Sequence, residues 1–200
     1  MNLSEAVAAR RSVRAFESRA VPRADVERAI ALAIQSPAPH HSAPWRFALL
    51  EASNDKERFS RAMGRAWRKD LERDGLPADR IQGILERSHS LLTATPLLTV
   101  CCADMSRSHR YDDDREIAEW SLFAHSVGAA LQTYMLALAE RGIASCWISA
   151  PVFCRPVVRE FLGLEESIEP HALVLVGYAA PEYQPRPRPE ADLTAFLLSS

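Results

Sequence analysis

The chain has 200 residues, of which 48% are hydrophobic and 25% charged, and its net charge is −2. That length suits one domain spanning residues 1–200 with a sizeable buried core. The charge offers no global field for nucleic acid or an anionic membrane, so neither is expected as a partner.

Residues 1–20 are arginine-rich and lack an apolar run, so no secretory signal is expected and a cytoplasmic location is. Ser4 is a candidate cap for a first helix running from Glu5 to Arg10. Pro22 opens a second helix with an apolar stripe of Val26, Ala29, Ile30, Ala33 and Ile34. Pro37, Pro39 and Pro44 then hold an extended loop, and Trp45 to Leu50 reads as a strand. The charged stretch from Asp55 to Ser90 is helical and is divided by Gly75-Leu76-Pro77. Leu97 to Cys102 is a buried strand. A long, nearly all-apolar helix from Asp114 to Glu140 reads as a central core helix rather than a membrane span. A short strand from Ser145 to Ile148, a helix from Arg155 to Leu162 and a strand from Ala172 to Tyr178 complete the order. Helices outnumber strands irregularly, which predicts an α+β fold with a mixed central sheet flanked by helices.

The chemistry-bearing segments are weak singly. Arg10, Ser12 and Arg14 share one side of an extended stretch, where they can face an anion. Alone, the run Arg10-Arg11-Ser12-Val13-Arg14 is also a solvated basic face. Arg186 and Arg188 share one side of a proline-rich tail, and the ordinary reading is a charged tail. The loop from Ser36 to Trp45 is stiff enough to lie over an aromatic ring, or is a rigid connector. Ser145 to Pro151 is a strand end whose backbone can bond a ligand, or a plain turn. Cys101, Cys102, Cys146 and Cys154 lack zinc spacing and read as reduced core thiols, with Cys101 and Cys102 on opposite sides of a strand. Adjacent His40 and His41 cannot easily turn to one ion, and the other histidines form no metal motif, so no metal is expected. Glycine signatures of dinucleotide or P-loop sites are missing from the sequence.

Together, Arg10-Arg11-Ser12-Val13-Arg14, the Ser36–Trp45 loop and the Arg186/Arg188 pair resemble the flavin-binding frame of the nitroreductase family. The resemblance covers nearly the whole chain. It implies a nitroreductase-like fold in an intertwined homodimer with FMN at the interface. Arg10, Arg11, Ser12 and Arg14 would hold phosphate, ribityl and pyrimidine, with Arg14 stabilising charge on the reduced ring. Ala38, Pro39 and His41 would come from the partner subunit's loop, Ile148 and Ser149 would lie near N5 and O4, and Arg186 and Arg188 near the phosphate. Where the family has Asn and Gln, this chain has His41 and Ala43.

Within the family, Ala38–Ser42, Pro44–Phe47, Trp67–Leu71, Val127–Gln132 and Ser145–Ile148 resemble the FMN-binding domain of FbiB, of coenzyme F420 biosynthesis. That implies reduction of the dehydro precursor of the deazaflavin, with His40, Asp70, Arg110 and Arg115 as candidate contacts to an anionic substrate. The hydride donor would be NAD(P)H or a reduced deazaflavin. The alternatives are a general NAD(P)H-dependent nitroreductase or quinone reductase, and a non-catalytic flavin- or deazaflavin-binding protein.

Overall fold

The structure is a computed structural model, and it describes residues 1–190 and 192–198. Helix α1 spans Leu3–Ala9 and is capped by Asn2, two residues earlier than the Ser4 reading. Asn2 Oδ1 accepts from Glu5 N at 3.0 Å, and Glu5 Oε2 accepts from Asn2 N at 2.8 Å. This reciprocal box satisfies two amides that a helix start leaves open, and it places Ser4 inside the helix. The chain leaves α1 extended at Arg10. Val13 is buried between exposed Ser12 and Arg14, as the period of two requires.

Helix α2 (Arg23–Ala33) buries Val26, Ala29 and Ala33. Ile34 leaves this stripe, because the helix ends before it and its side chain is 43% exposed. A 3₁₀ turn at Pro39–His41 leads into β1 (Trp45–Leu50). Helices α3 (Ser53–Arg73) and α4 (Ala78–Ala94) form a hairpin turned at Gly75, whose φ of 76° suits glycine. Next come β2 (Leu97–Asp104), α5 (Arg115–Glu140), β3 (Ala144–Ile148), α6 (Ala150–Phe153), α7 (Arg155–Leu162) and β4 (Ile168–Gly177). Strand β4 starts at Ile168, not Ala172; Glu169, Pro170 and His171 disguise its first turn of residues as a loop.

The sheet order is β1-β2-β4-β3, and all three strand pairs are antiparallel. The mixed character predicted from element order is confined to one parallel bridge between Ser12 and Ser145. The alternation along each strand splits the core into two layers. Leu97, Cys101, Val174 and Val176 pack with α2 and α5. Leu98, Val100, Cys102, Leu173 and Leu175 pack with Phe59 and Met63 of α3, Leu92 of α4 and Val158 of α7. The adjacent Cys101 and Cys102 therefore lie in different layers, and all four thiols are free. Helix α5 is long and apolar enough to cross a membrane, yet eleven of its side chains are buried against the sheet and neighbouring helices.

Two buried polar contacts tie elements of the core together. Lys56 Nζ of α3 is buried and donates to the carbonyls of Thr95 (2.6 Å) and Pro96 (3.1 Å) at the C-terminal end of α4. Thr99 Oγ1 and Tyr134 Oη lie 2.9 Å apart inside the core, so the deepest hydroxyl of α5 is satisfied by the sheet.

Candidate functional site

The two arginine segments meet. Arg188 Nη1 donates to the Val7 carbonyl at 2.7 Å, and Nη2 donates to the Arg10 carbonyl at 2.6 Å. These are carbonyls that the C-terminal end of α1 leaves open, and a guanidinium is suited to capping them. Arg188 is thereby committed to the backbone, and it braces the arm rather than pointing freely outward. Desolvation and then the neighbouring charges of Arg11 and Arg10 push its pKa down. Among the described residues, Arg10, Arg11, Arg14, Arg186 and Arg188 form no ion pair with an acidic side chain. Arg10, Arg11 and Arg188 lie close enough for their charges to interact; like charges gathered without a counter-ion are stabilised by an anion, and a phosphate dianion fits that donor set.

The extended arm is held along β3. Val13 N donates to the Ser145 carbonyl at 3.0 Å, and Ser12 bridges Ser145. Ser145 Oγ is buried without a hydrogen-bond partner. From Ser145 the strand runs to Ile148 and Ser149, roughly 10 Å at the usual strand rise. Arg14 and Arg10 also face this strand. Burial raises the Cys146 thiol pKa, and the two cations oppose that rise. The arrangement combines cations, an orphaned hydroxyl and a strand end in one line, which suits an elongated ligand with an anionic tail. It fits FMN.

Beyond Ile148 a cavity of about 740 Å³ opens between α3, α4 and α6. Trp67, Asp70 and Arg73 line it from α3, Arg87 from α4, and Phe153 and Cys154 from the α6 end. Asp70 accepts from Arg73 Nη2 at 2.7 Å. Burial, and then the Asp70 charge, push the Cys154 thiol up to about 11, while burial and Glu169 push Cys102 to about 12. These thiols remain protonated at neutral pH, so neither provides a thiolate nucleophile.

The remaining candidates lie elsewhere. Ala38, Pro39 and His41 sit on a loop anchored to the first half of α5. Ser126 Oγ donates to the Pro37 carbonyl at 2.8 Å, and Trp45 Nε1 donates to the Ser126 carbonyl at 3.1 Å. His40, His41 and Ala43 have φ of 53°, 49° and 46°, a strained cluster for non-glycine residues. His40 Nε2 lies 2.9 Å from Glu119 Oε1. Arg110 pairs with Glu116, and Arg115 with Asp113 at 2.8 Å, at the same end of α5. Arg10 and Arg11 instead neighbour Ala139 and Gly142, at the far end. Glu119 to Ala139 is about 30 Å of helix. Within one chain, His40, Arg110 and Arg115 are therefore separated from the arginine cluster, and Asp70 lies on α3, which packs in the other core layer from α5.

Sequence reasoning gave no role to Glu119 or His109, and it named Ser145 only through the backbone of its strand-end segment. The available signal for Glu119 was a single acid entering the apolar stretch of α5. The unpartnered Ser145 hydroxyl carried no signal, because its isolation depends on the arm folding over it.

The fold and the site together define a flavoprotein-type α+β oxidoreductase. A model of the nitroreductase family matches residues 7–178, so the chain belongs to that family of FMN-dependent oxidoreductases. Similar solved structures include a BluB-like flavoprotein from Clostridium difficile 630, with a TM-score of 0.79 and 19% identity, covering 100% of this chain and 99% of the other. A nitroreductase-like family protein from Bacillus cereus gives a TM-score of 0.77 at 18% identity, covering 100% and 96%. A nitroreductase with bound FMN from Bacteroides fragilis NCTC 9343 gives 0.76 at 22% identity, covering 100% of both chains.

Proposed function

We propose that the chain is a single FMN-binding domain that works as a cytoplasmic homodimer and reduces the dehydro precursor of coenzyme F420. One observation supports the dimer: the arginine cluster lies by Ala139 of α5, whereas the Ala38–His41 loop runs along α5 from Ser126 to Glu119, roughly 20–30 Å of helix away. A second copy would bring such a loop to the same flavin. Ile117 and Leu122, exposed on α5, and Trp147, exposed on β3, supply apolar surface for that contact.

Bound FMN would supply the hydride chemistry. Arg10 and Arg11 hold its phosphate, with Arg186 beside them and Arg188 bracing the arm. Ser12 and Ser145 offer hydroxyls along the chain of the ligand. Arg14 places a cation where negative charge develops on reduction. The backbone at Ile148 and Ser149 orients the ring edge, and Ala38, Pro39 and His41 of the second copy cover it and exclude water.

Ile148 borders both the flavin line and the 740 Å³ cavity, so an acceptor in that cavity lies against the ring. Trp67 offers a stacking surface, and Arg73 and Arg87 offer forks to an anionic group. Asp70 contacts the polar edge of the deazaflavin, and His40, Arg110 and Arg115 of the second copy extend the anion contacts. NAD(P)H or a reduced deazaflavin delivers hydride first and leaves before the acceptor enters. A general nitroreductase or quinone reductase is the second reading, favoured by the apolar wall of Met63, Ile84, Leu91 and Phe153.

The test follows flavin absorbance anaerobically. FMN-loaded protein is reduced by NADPH or by reduced deazaflavin, then mixed with either the dehydro precursor or a nitroaromatic. Rapid reoxidation by the precursor alone supports the proposal. Preference for the nitroaromatic selects the second reading, and failure of every donor to bleach the flavin points to a non-catalytic binder.

A further inference from the structure

We propose that His40, His109 and Glu119 form a site for one divalent transition-metal ion of the zinc class. One ligand atom from each lies within 4.8 Å of the others. Two imidazole nitrogens and one carboxylate oxygen are the donor set zinc takes when a coordination position stays open to water. The three come from separate segments: the Ala38–Ser42 loop, the loop before α5, and α5 itself. Sequence spacing therefore conceals them. The adjacent His41 is not a member; its carbonyl accepts from Arg107 Nη1 at 3.2 Å.

Glu119 makes this more than a surface cluster. Its side chain is only 5% exposed, and it ion-pairs with no lysine or arginine among the described residues. A buried carboxylate needs a compensating cation. It is also pre-aimed, because Oε1 accepts the His109 backbone N–H at 2.8 Å. His40 reaches the same oxygen from a left-handed backbone conformation with φ of 53°, which side chains rarely adopt without a reason held elsewhere in the structure. The two rings lie with centroids 4.1 Å apart.

Ligand bonds of about 2.0–2.2 Å bring donor atoms to roughly 3–3.5 Å from one another, which side-chain rotation can reach here. The ion takes the place of the proton shared between His40 Nε2 and Glu119 Oε1. That proton moves to His40 Nδ1, and no oxidation state changes. A ligating imidazole usually donates its second N–H to a neighbour. Tyr111 Oη, 3.4 Å from His109 Nδ1, stands ready for that. The bound ion would pin the Ala38–Ser42 loop to α5. The site shares His40 with the anion contacts proposed above, but metal binding is measured without flavin or substrate, so its failure and the failure of that reading are distinguishable.

The experiment titrates metal-free full-length protein with Co²⁺ and then Zn²⁺, by visible absorption and calorimetry. One Co²⁺ per chain with nitrogen/oxygen-type bands, displaced by Zn²⁺, is expected. Glu119→Gln and His109→Ala should each weaken binding at least about tenfold with an unchanged circular dichroism spectrum, while His125→Ala, another exposed histidine, leaves it intact. His109 is exposed, so its variant keeps the test decisive should Glu119→Gln fail to fold. Absence of binding at millimolar Co²⁺ would reduce the cluster to a hydrogen-bonded His–Glu pair and overturn the proposal. So would a thiolate charge-transfer band, or binding indifferent to both variants.

Discussion

Arg188 Nη2 donates to the carbonyl oxygen of Arg10 at 2.6 Å, across 178 residues of chain. The contact ties the C-terminal segment to the end of α1 and concentrates three guanidinium groups where β3 begins. Arg10 contributes its backbone to this tie, and its own side chain pairs with no acidic side chain among the described residues. That division separates two variants.

Arg188→Ala should lower stability by about 1–2 kcal/mol, because two charge-assisted bonds to the open carbonyls of α1 are lost. Arg10→Ala keeps those carbonyls paired and should leave stability nearly unchanged while weakening FMN about tenfold or more. Urea unfolding and fluorescence titration of flavin into apo-protein read the two effects apart. Equal losses of stability in both variants would refute the division of labour.

His171 makes stability depend on pH. It is buried, stacked on Trp120 with centroids 5.1 Å apart, and its Nε2 lacks a partner. Burial, and then the Arg155 charge, lower its pKa to about 4 from the ordinary 6.5. Above pH 6.5 the ring is neutral in both folded and unfolded chains, so its contribution is fully present. As pH falls from 6.5 toward 4, only the unfolded chain takes up the proton, and the folded state loses about 2 kcal/mol by pH 5. Glu169 and Arg155 are the charged neighbours from β4 and α7. Urea midpoints at pH 7.5 and 5 should differ in the wild type and differ much less in His171→Phe; parallel losses in the two proteins would assign the acid sensitivity to other groups.

Lys56→Met should cost about 2–3 kcal/mol. The substitution retains the apolar stem but strips the Thr95 and Pro96 carbonyls of a donor in a buried corner. Burial lowers the Lys56 pKa, which shows that this ammonium pays a desolvation cost to be there. Thermal unfolding measures the change. A variant as stable as wild type would mean that the two carbonyls find water instead.

Gly177→Ala tests the close approach of the arm to the sheet. A Cβ at this position would meet Phe16 Cδ1 at 2.8 Å and Pro96 Cδ at 2.9 Å. The proline ring cannot swing aside, so overpacking of about 1–3 kcal/mol is expected. The loss should appear as a lower melting temperature and faster amide exchange around Ala15 and Ala180, which are hydrogen-bonded to each other nearby. Unaltered exchange there would show that the arm does not depend on this contact.

Local rules recovered most elements because their signals are local. Trp45–Leu50 and Arg155–Leu162 have the bounds read from the sequence, the second closed by Gly163 at φ 62°. Errors fell where two local signals compete. Ser4 and Asn2 are both good caps, and only the reciprocal bond to Glu5 decides for Asn2. Pro170 reads as a break, yet β4 carries it opposite Cys102, where the ladder shifts register between Cys101 and Cys102.

The sequence by itself determined the family frame: the arginine arm, the proline loop, the long apolar helix and the basic tail, each marked by residue type and order. Only the tertiary structure decided how their side chains are used. Arg188 is turned onto backbone carbonyls, His40 joins Glu119 rather than the cavity that holds Asp70, and Ser145 Oγ is left alone beneath the arm. Residue type and period are written in neighbouring positions. Distances across the fold arise only when α5 holds the loop at one end and the arm at the other, and no window along the chain contains both.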